Sequence, residues 1–184
     1  MKKTVLICGL IAGLISSSWF LGLMILGKAG HEDTKSGLIY GYSLMILAFS
    51  LIFVGTRITR DRYNGGAITL GRAFLIGLTI TLIASTIYVA IWQIEFYVFI
   101  PDFAEKYAAH VVENLRASGA SRQEIARTSA DMARFSQQYK NPFFVIMMTY
   151  AEILPVGLVV SFISALVLKR KKKGADQRTS PAYT

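Results

Sequence analysis

Four stretches of the chain stay apolar for the width of a bilayer, and the polar positions between them fall into short loops and one longer segment. Thr4 to Leu26 carries no charge at all. A second stretch runs from Leu38 to about Gly55, a third from about Ala73 to Phe96, and the last from Pro142 to Leu168. An α-helix rises about 1.5 Å per residue, so about 20 apolar residues cross a hydrocarbon core ~30 Å thick. The pattern predicts an all-α integral membrane fold with four transmembrane helices, at 4–27, 38–55, 73–96 and 142–168, in one domain spanning 1–173. Residues 174–184 read as a polar, disordered tail.

The last stretch sets the orientation. It ends at Lys169-Arg170-Lys171-Lys172-Lys173, and clustered cations stay on the cytoplasmic side. Both termini and the loop carrying Arg57, Arg60 and Arg62 are then inside, while 28–37 and 101–141 face outward. Lys2 and Lys3 before an apolar run also describe a signal peptide, with Ser16-Ser17-Ser18 imitating a cleavage site. A signal's apolar region is about 7–15 residues, however, and this one continues past Trp19, so an uncleaved span is the better reading.

Small residues mark where helices approach closely. Gly9, Gly13 and Ser17 recur at four-residue steps, and Gly41, Ala48 and Gly55 at seven. Both stripes are read as intramolecular packing faces rather than dimer motifs. Asn64-Gly65-Gly66 is a turn signal, Thr69 a candidate cap for the third helix, and Tyr40 and Tyr42 suit an interfacial aromatic belt. In 101–141, Asp102 with Glu105 and Ser121 with Glu124 have capping-box spacing. Phe103, Tyr107, Val111 and Leu115 form one apolar stripe, and Ile125, Met132, Phe135 and Tyr139 another. The segment reads as an extracytoplasmic helical hairpin, broken at Ser118-Gly119.

Charge refines this picture without changing it. The formal charge of +9 could suggest a nucleic-acid binder. The topology places twelve of the Lys and Arg residues inside with two acids, and eight outside with seven acids, so the surplus follows membrane sidedness and nucleic acid is not expected as a partner. The partners expected are the lipid bilayer and either a second copy or another membrane protein. The lone Cys8 allows no internal disulfide, and bulky Ile7 before it argues against a lipoprotein signal.

Several stretches together resemble a known family. They are Tyr40-Gly41-Tyr42 with Ala48 to Phe53, Ile80 to Val89, Pro101-Asp102-Phe103, Lys140-Asn141-Pro142, and Glu152-Ile153-Leu154-Pro155-Val156-Gly157 with Ser164-Ala165-Leu166. They look like the bacterial membrane family catalogued as domain of unknown function 4199, over roughly Thr4 to Lys173. The resemblance implies a small four-span inner-membrane protein and brings no catalytic or ligand-binding residue with it.

Candidate chemistry is sparse. His31 and His110 sit in different outer segments without metal-ligand spacing, and no nucleophile stands with a base, so neither an enzyme nor a cofactor is expected. Thr81, Ser85, Tyr88, Trp92 and Glu95, with Gly77, fall on one face of the third helix. Glu95 lies about 34 Å beyond Arg72 along that helix, at the outer rim, where a glutamate is ordinarily solvated. Glu152 lies about 15 Å into the last helix, near mid-membrane, where an ionised carboxylate is expensive and should be neutral or paired. The polar face of the third helix supplies its expected partners. On that expectation Glu152→Gln is nearly neutral and Glu152→Leu costs about 1–3 kcal/mol by stranding a partner. Two functions follow: a structural, assembly or accessory role, or a small transporter or proton-pathway component built on Glu152.

Overall fold

The computed structural model describes residues 1–25 and 34–170. The predicted 28–33 part of the first loop, with His31, and the 174–184 tail lie outside the described residues. The chain forms α1 (Lys2–Ile25), α2 (Thr34–Ile58), α3 (Leu70–Ile94), α4 (Phe103–Ala117), α5 (Arg122–Gln138) and α6 (Pro142–Leu168). Two segments widen into single π-type turns, Thr59–Tyr63 after α2 and Glu95–Phe99 after α3. Among the described residues, three stretches are long and apolar enough to cross a membrane: Ile39–Tyr63, Leu70–Phe99 and Pro142–Leu168.

Local chemistry accounts for most helix ends. Thr69 accepts from the Arg72 amide at 3.4 Å and Ser121 from the Glu124 amide at 3.2 Å, so two predicted caps form. Asn141 accepts from the Phe143 amide at 3.0 Å, and Pro142 occupies the first helical position, where no amide hydrogen is needed. The Asp102 cap does not form. Its carboxylate takes Lys106 Nζ at 2.7 Å instead, because the salt bridge one turn ahead outcompetes a backbone donor at the surface. Gly65, Gly66 and Gly119 have positive φ (62°, 79° and 77°), as their turns require.

The long helices bury small and hydroxyl side chains together with a few large ones such as Phe49 and Ile80, and leave many large apolar side chains exposed. Ala12, Ala48, Thr81, Ser85, Ser161 and Ala165 have no exposure, whereas Leu14, Leu47, Leu75, Phe162 and Val167 face outward. In water that arrangement would be inverted. It fits a lipid solvent, where apolar surface gains nothing from burial and close helix approach supplies the stability.

The approach is close where glycine permits it. Helices α1 and α6 flank the α2–α3 pair, each touching both, and α3–α6 is the most extensive contact. A Cβ on Gly9 would lie 2.7 Å from Ile83, and one on Gly13 2.9 Å from the Ala84 carbonyl, so the α1 stripe is spent on α3 within the molecule. Ser17 is buried beside them and donates to the Gly13 carbonyl at 3.0 Å. On α2, Gly55 meets Ile80 and Cys8, but Gly41 has nothing within 4 Å among the described residues, where the predicted second stripe is used at Ala48 and Gly55.

A second core, mostly aromatic, joins the hairpin to the bundle. Phe96 at the end of α3, Phe103 on α4, Tyr139 after α5 and Phe144 on α6 meet around one point, with Trp92, Tyr107 and Phe135 packed against them. Trp92 and Phe103 lie edge-on at 5.3 Å, Phe96 and Tyr139 at 5.5 Å, and Tyr139 and Phe144 at 5.9 Å. Edge-to-face pairs add roughly 0.5–1.5 kcal/mol each beyond their area burial. Beyond this root the hairpin is lightly packed, and α5 buries no residue fully.

Candidate polar site at the hairpin end of the bundle

The polar face of α3 divides into two functional halves. Gly77, Thr81 and Ser85 are buried against the bundle. Thr81 Oγ1 and Ser161 Oγ share a hydrogen bond at 3.0 Å, and Gly77 sits against the Ser161 side chain. Thr81 is therefore committed to helix packing, and Ser85, although fully buried, has no hydrogen-bond partner among the described residues. Neither bonds Glu152.

Farther along the same face, Tyr88 lies within electrostatic range of two carboxylates. Both Glu152 on α6 and Glu95 after α3 act on it electrostatically, and Glu152 also acts on Tyr42 of α2 and on Tyr139. Glu152 is thus within electrostatic range of Tyr42, Tyr88 and Tyr139, and Glu95 within range of Tyr88, with no hydrogen bond from Glu152 to any of them among the described residues. Glu152 is exposed on the side of α6 and makes no hydrogen bond or ion pair among the described residues.

Glu95 corrects the expectation of a solvated rim residue. It is only 2 % exposed, and its Oε1 has no hydrogen-bond partner among the described residues. The physical reason is that the third helix does not simply end there. The chain widens into the Glu95–Phe99 turn, the Ile100 amide bonds back to the Glu95 carbonyl at 3.1 Å, and Phe103 then packs onto Trp92 and Phe96. The hairpin root closes over a position that helix length alone would leave in water.

Tyr139 and Tyr42 are members that their sequence roles concealed, one as the end of the α5 stripe and the other as a belt tyrosine. Burial pushes the Tyr139 phenol up to about 12, with smaller contributions from Glu152 and Tyr107. A raised phenol stabilises the fold fully below the ordinary value near 10 and loses that contribution as pH rises through about 12. The hairpin root should therefore loosen between pH 10 and 12. Limited proteolysis across that range should detect it, and Tyr139→Phe should remove the dependence.

Elsewhere the chemistry is thin. His110 is half-buried, and its Nε2 is enclosed without a partner; among the described residues no group of three His, Cys, Asp or Glu could hold a metal. An open hollow of about 520 Å³ lies between α4 and α5, lined by Ala108, Val112, Met132, Ala133, Glu113 and Arg116. It lies on the hairpin and includes none of the Glu152 group.

A family profile described as "Protein of unknown function (DUF4199)" matches residues 7–170. The chain belongs to this family. The match takes in all of the clustered residues and every described helix except the first turns of α1. No curated protein and no solved structure matches the chain significantly.

Proposed function

We propose that the protein is a four-span bacterial inner-membrane protein with both termini in the cytoplasm, acting in a structural, assembly or accessory role without catalysis of its own. The observation that carries this reading is the filled interior of the bundle. Phe49, Ile52, Ile80, Thr81, Ile153 and Ser161 are fully buried, and glycine contacts close α3 against both α1 and α6. Packing of that kind suits a rigid membrane body holding out a lightly packed hairpin, whereas alternating access needs parts that rock about a central site. α1 supplies the fourth span: it is 24 residues long and uncharged beyond Lys3.

A second reading, proton or ion handling through Glu152, draws on Tyr88 being within electrostatic range of both Glu152 and the sealed Glu95. One experiment separates the two. Proteoliposomes carrying the full chain and a trapped pH-sensitive dye should leak no faster than empty vesicles under a proton or potassium gradient. A flux removed by Glu152→Gln would overturn the accessory reading in favour of the pathway. Topology is tested in a Cys8→Ser background. Ser118→Cys should label from outside and Arg62→Cys only after permeabilisation, and the reverse would overturn the orientation. Ser118 is the better probe position, since Gly119 beside it has a φ of 77°.

A further inference from the structure

We propose that the end of the bundle carrying Lys2, Lys3, Arg62, Arg72, Lys169 and Arg170 is a fixed seat for the headgroups of anionic phospholipids. The proposal rests on the membrane-spanning reading and adds a lipid class to it.

Three separate segments are tied together at this end. Ile68, in the connection between α2 and α3, exchanges both backbone hydrogen bonds with Arg170 after α6, at 3.0 and 2.9 Å. Arg60 Nη1 reaches the Leu168 carbonyl at 3.5 Å, and Arg72 Nη2 lies 4.0 Å from Met1 Sδ. The start of α1, the 59–72 connection and the end of α6 therefore form one platform. The backbone of Arg170 is held by this pairing and the other cations sit on or beside helical segments, so gathering them on a ligand has a smaller entropic cost than it would on a free tail.

The charge on that platform is unbalanced. Asp61 is the one acid among its described residues, and it is already taken. Arg60 grips it through two nitrogens at 2.7 and 3.1 Å, and Arg57 approaches at 3.7 Å. Lys2, Lys3, Arg62, Arg72, Lys169 and Arg170 are all exposed and form no salt bridge among the described residues, Arg170 acting on the already shared Asp61 only at longer range, and three further lysines follow in sequence. The hairpin at the other end mixes six cations with five acids.

Position then selects the anion. The platform caps the ends of three apolar helices, so in a bilayer its guanidinium and ammonium groups lie in the layer of lipid phosphates. A zwitterionic headgroup brings a compensating amine, whereas an anionic one brings net charge, so the seat favours the latter by about fivefold per cation engaged.

The test uses the full chain in vesicles of equal parts phosphatidylglycerol and phosphatidylcholine, extracted in mild detergent, with retained lipid counted by native mass spectrometry. Phosphatidylglycerol should be enriched, and Arg62→Gln with Arg170→Gln should reduce the enrichment by about 25-fold. Arg62→Lys with Arg170→Lys keeps the charge and should keep the enrichment, which separates lost binding from lost folding. Arg127→Gln with Arg134→Gln removes the same charge from exposed positions on α5 and should change nothing. No enrichment in the parent chain, an equal loss in the α5 pair, or displacement by soluble inorganic phosphate would each overturn the seat. Alkaline carbonate extraction reads the membrane-spanning claim separately: a chain that resists extraction yet shows no enrichment loses only the seat.

Discussion

Gly157→Ala should destabilise the protein by about 1–3 kcal/mol, and Gly157→Val by the upper end of that range or more. An added Cβ at Gly157 would run into the Thr81 methyl group, with Thr81 Oγ1 at 2.9 Å and Phe49 Cζ at 3.0 Å. None of the three can yield easily. Thr81 is held by its hydrogen bond to Ser161, and Phe49 is fully buried on α2. The substitution must therefore separate α6 from α3 and α2 together, weakening the most extensive contact in the bundle. Gly41→Ala is the control, because nothing among the described residues lies within 4 Å of its Cβ position. It should be neutral or gain about 0.5–1 kcal/mol from the lost flexibility of glycine in a helix. Thermal unfolding in one mild detergent measures both. Equal midpoints for the Gly157 variants and Gly41→Ala would show that the α3–α6 approach does not limit stability.

The other large effect runs opposite to the expectation from sequence. Glu152→Leu should favour membrane insertion of α6 by about 3 kcal/mol, the gap between an acidic residue and leucine near the centre of a span. Sequence reasoning supposed a hydrogen bond to the face of α3, which leucine would strand. The structure leaves Glu152 exposed on α6 without a hydrogen-bond partner among the described residues, and gives Thr81 to Ser161 instead. Leucine therefore strands nothing within the chain. Insertion assays on the α6 segment and unfolding of the whole protein should both favour the Leu variant. A whole-protein loss of stability alongside better segment insertion would show that Glu152 is bonded within the assembled protein, by a second copy or another partner. A more stable Leu variant that loses its cellular role would mark a carboxylate retained at a cost to stability.

The parts of this fold that were legible in the sequence are those governed by one helix at a time. The long apolar helices, the Asn64–Gly66 turn, the Thr69 and Ser121 caps and the break at Gly119 follow from hydrophobic period, capping geometry and φ. What the sequence could not show depends on how helices meet. Glu95 sits at the correct distance from Arg72 for a rim residue, and only the fold-back at Phe103 encloses it. Tyr42, Tyr88 and Tyr139 look like three unrelated interfacial aromatics until α2, α3 and the hairpin root bring them within electrostatic range of Glu152. Asp102 failed as a cap because two surface options of similar energy compete there, and spacing does not distinguish them. Family membership could be read from motifs spread over the spans, but it brought no residue with an assigned task.

The order of helices along the chain also fixes the order in which contacts become available during synthesis. Helices α1, α2 and α3 emerge in close succession, but α6 follows only after the two hairpin helices. From Ile94 to Leu168 a ribosome adding about 5–20 residues per second needs roughly 4–15 seconds. Throughout that interval Gly77, Thr81 and Ser85 on α3 are without the helix they are shaped to meet. The incomplete bundle presents a hydroxyl-lined groove to lipid. The nascent chain is thus most exposed to membrane proteases and insertion chaperones just before its last span arrives, and the arrival of α6 ends that exposure in one step.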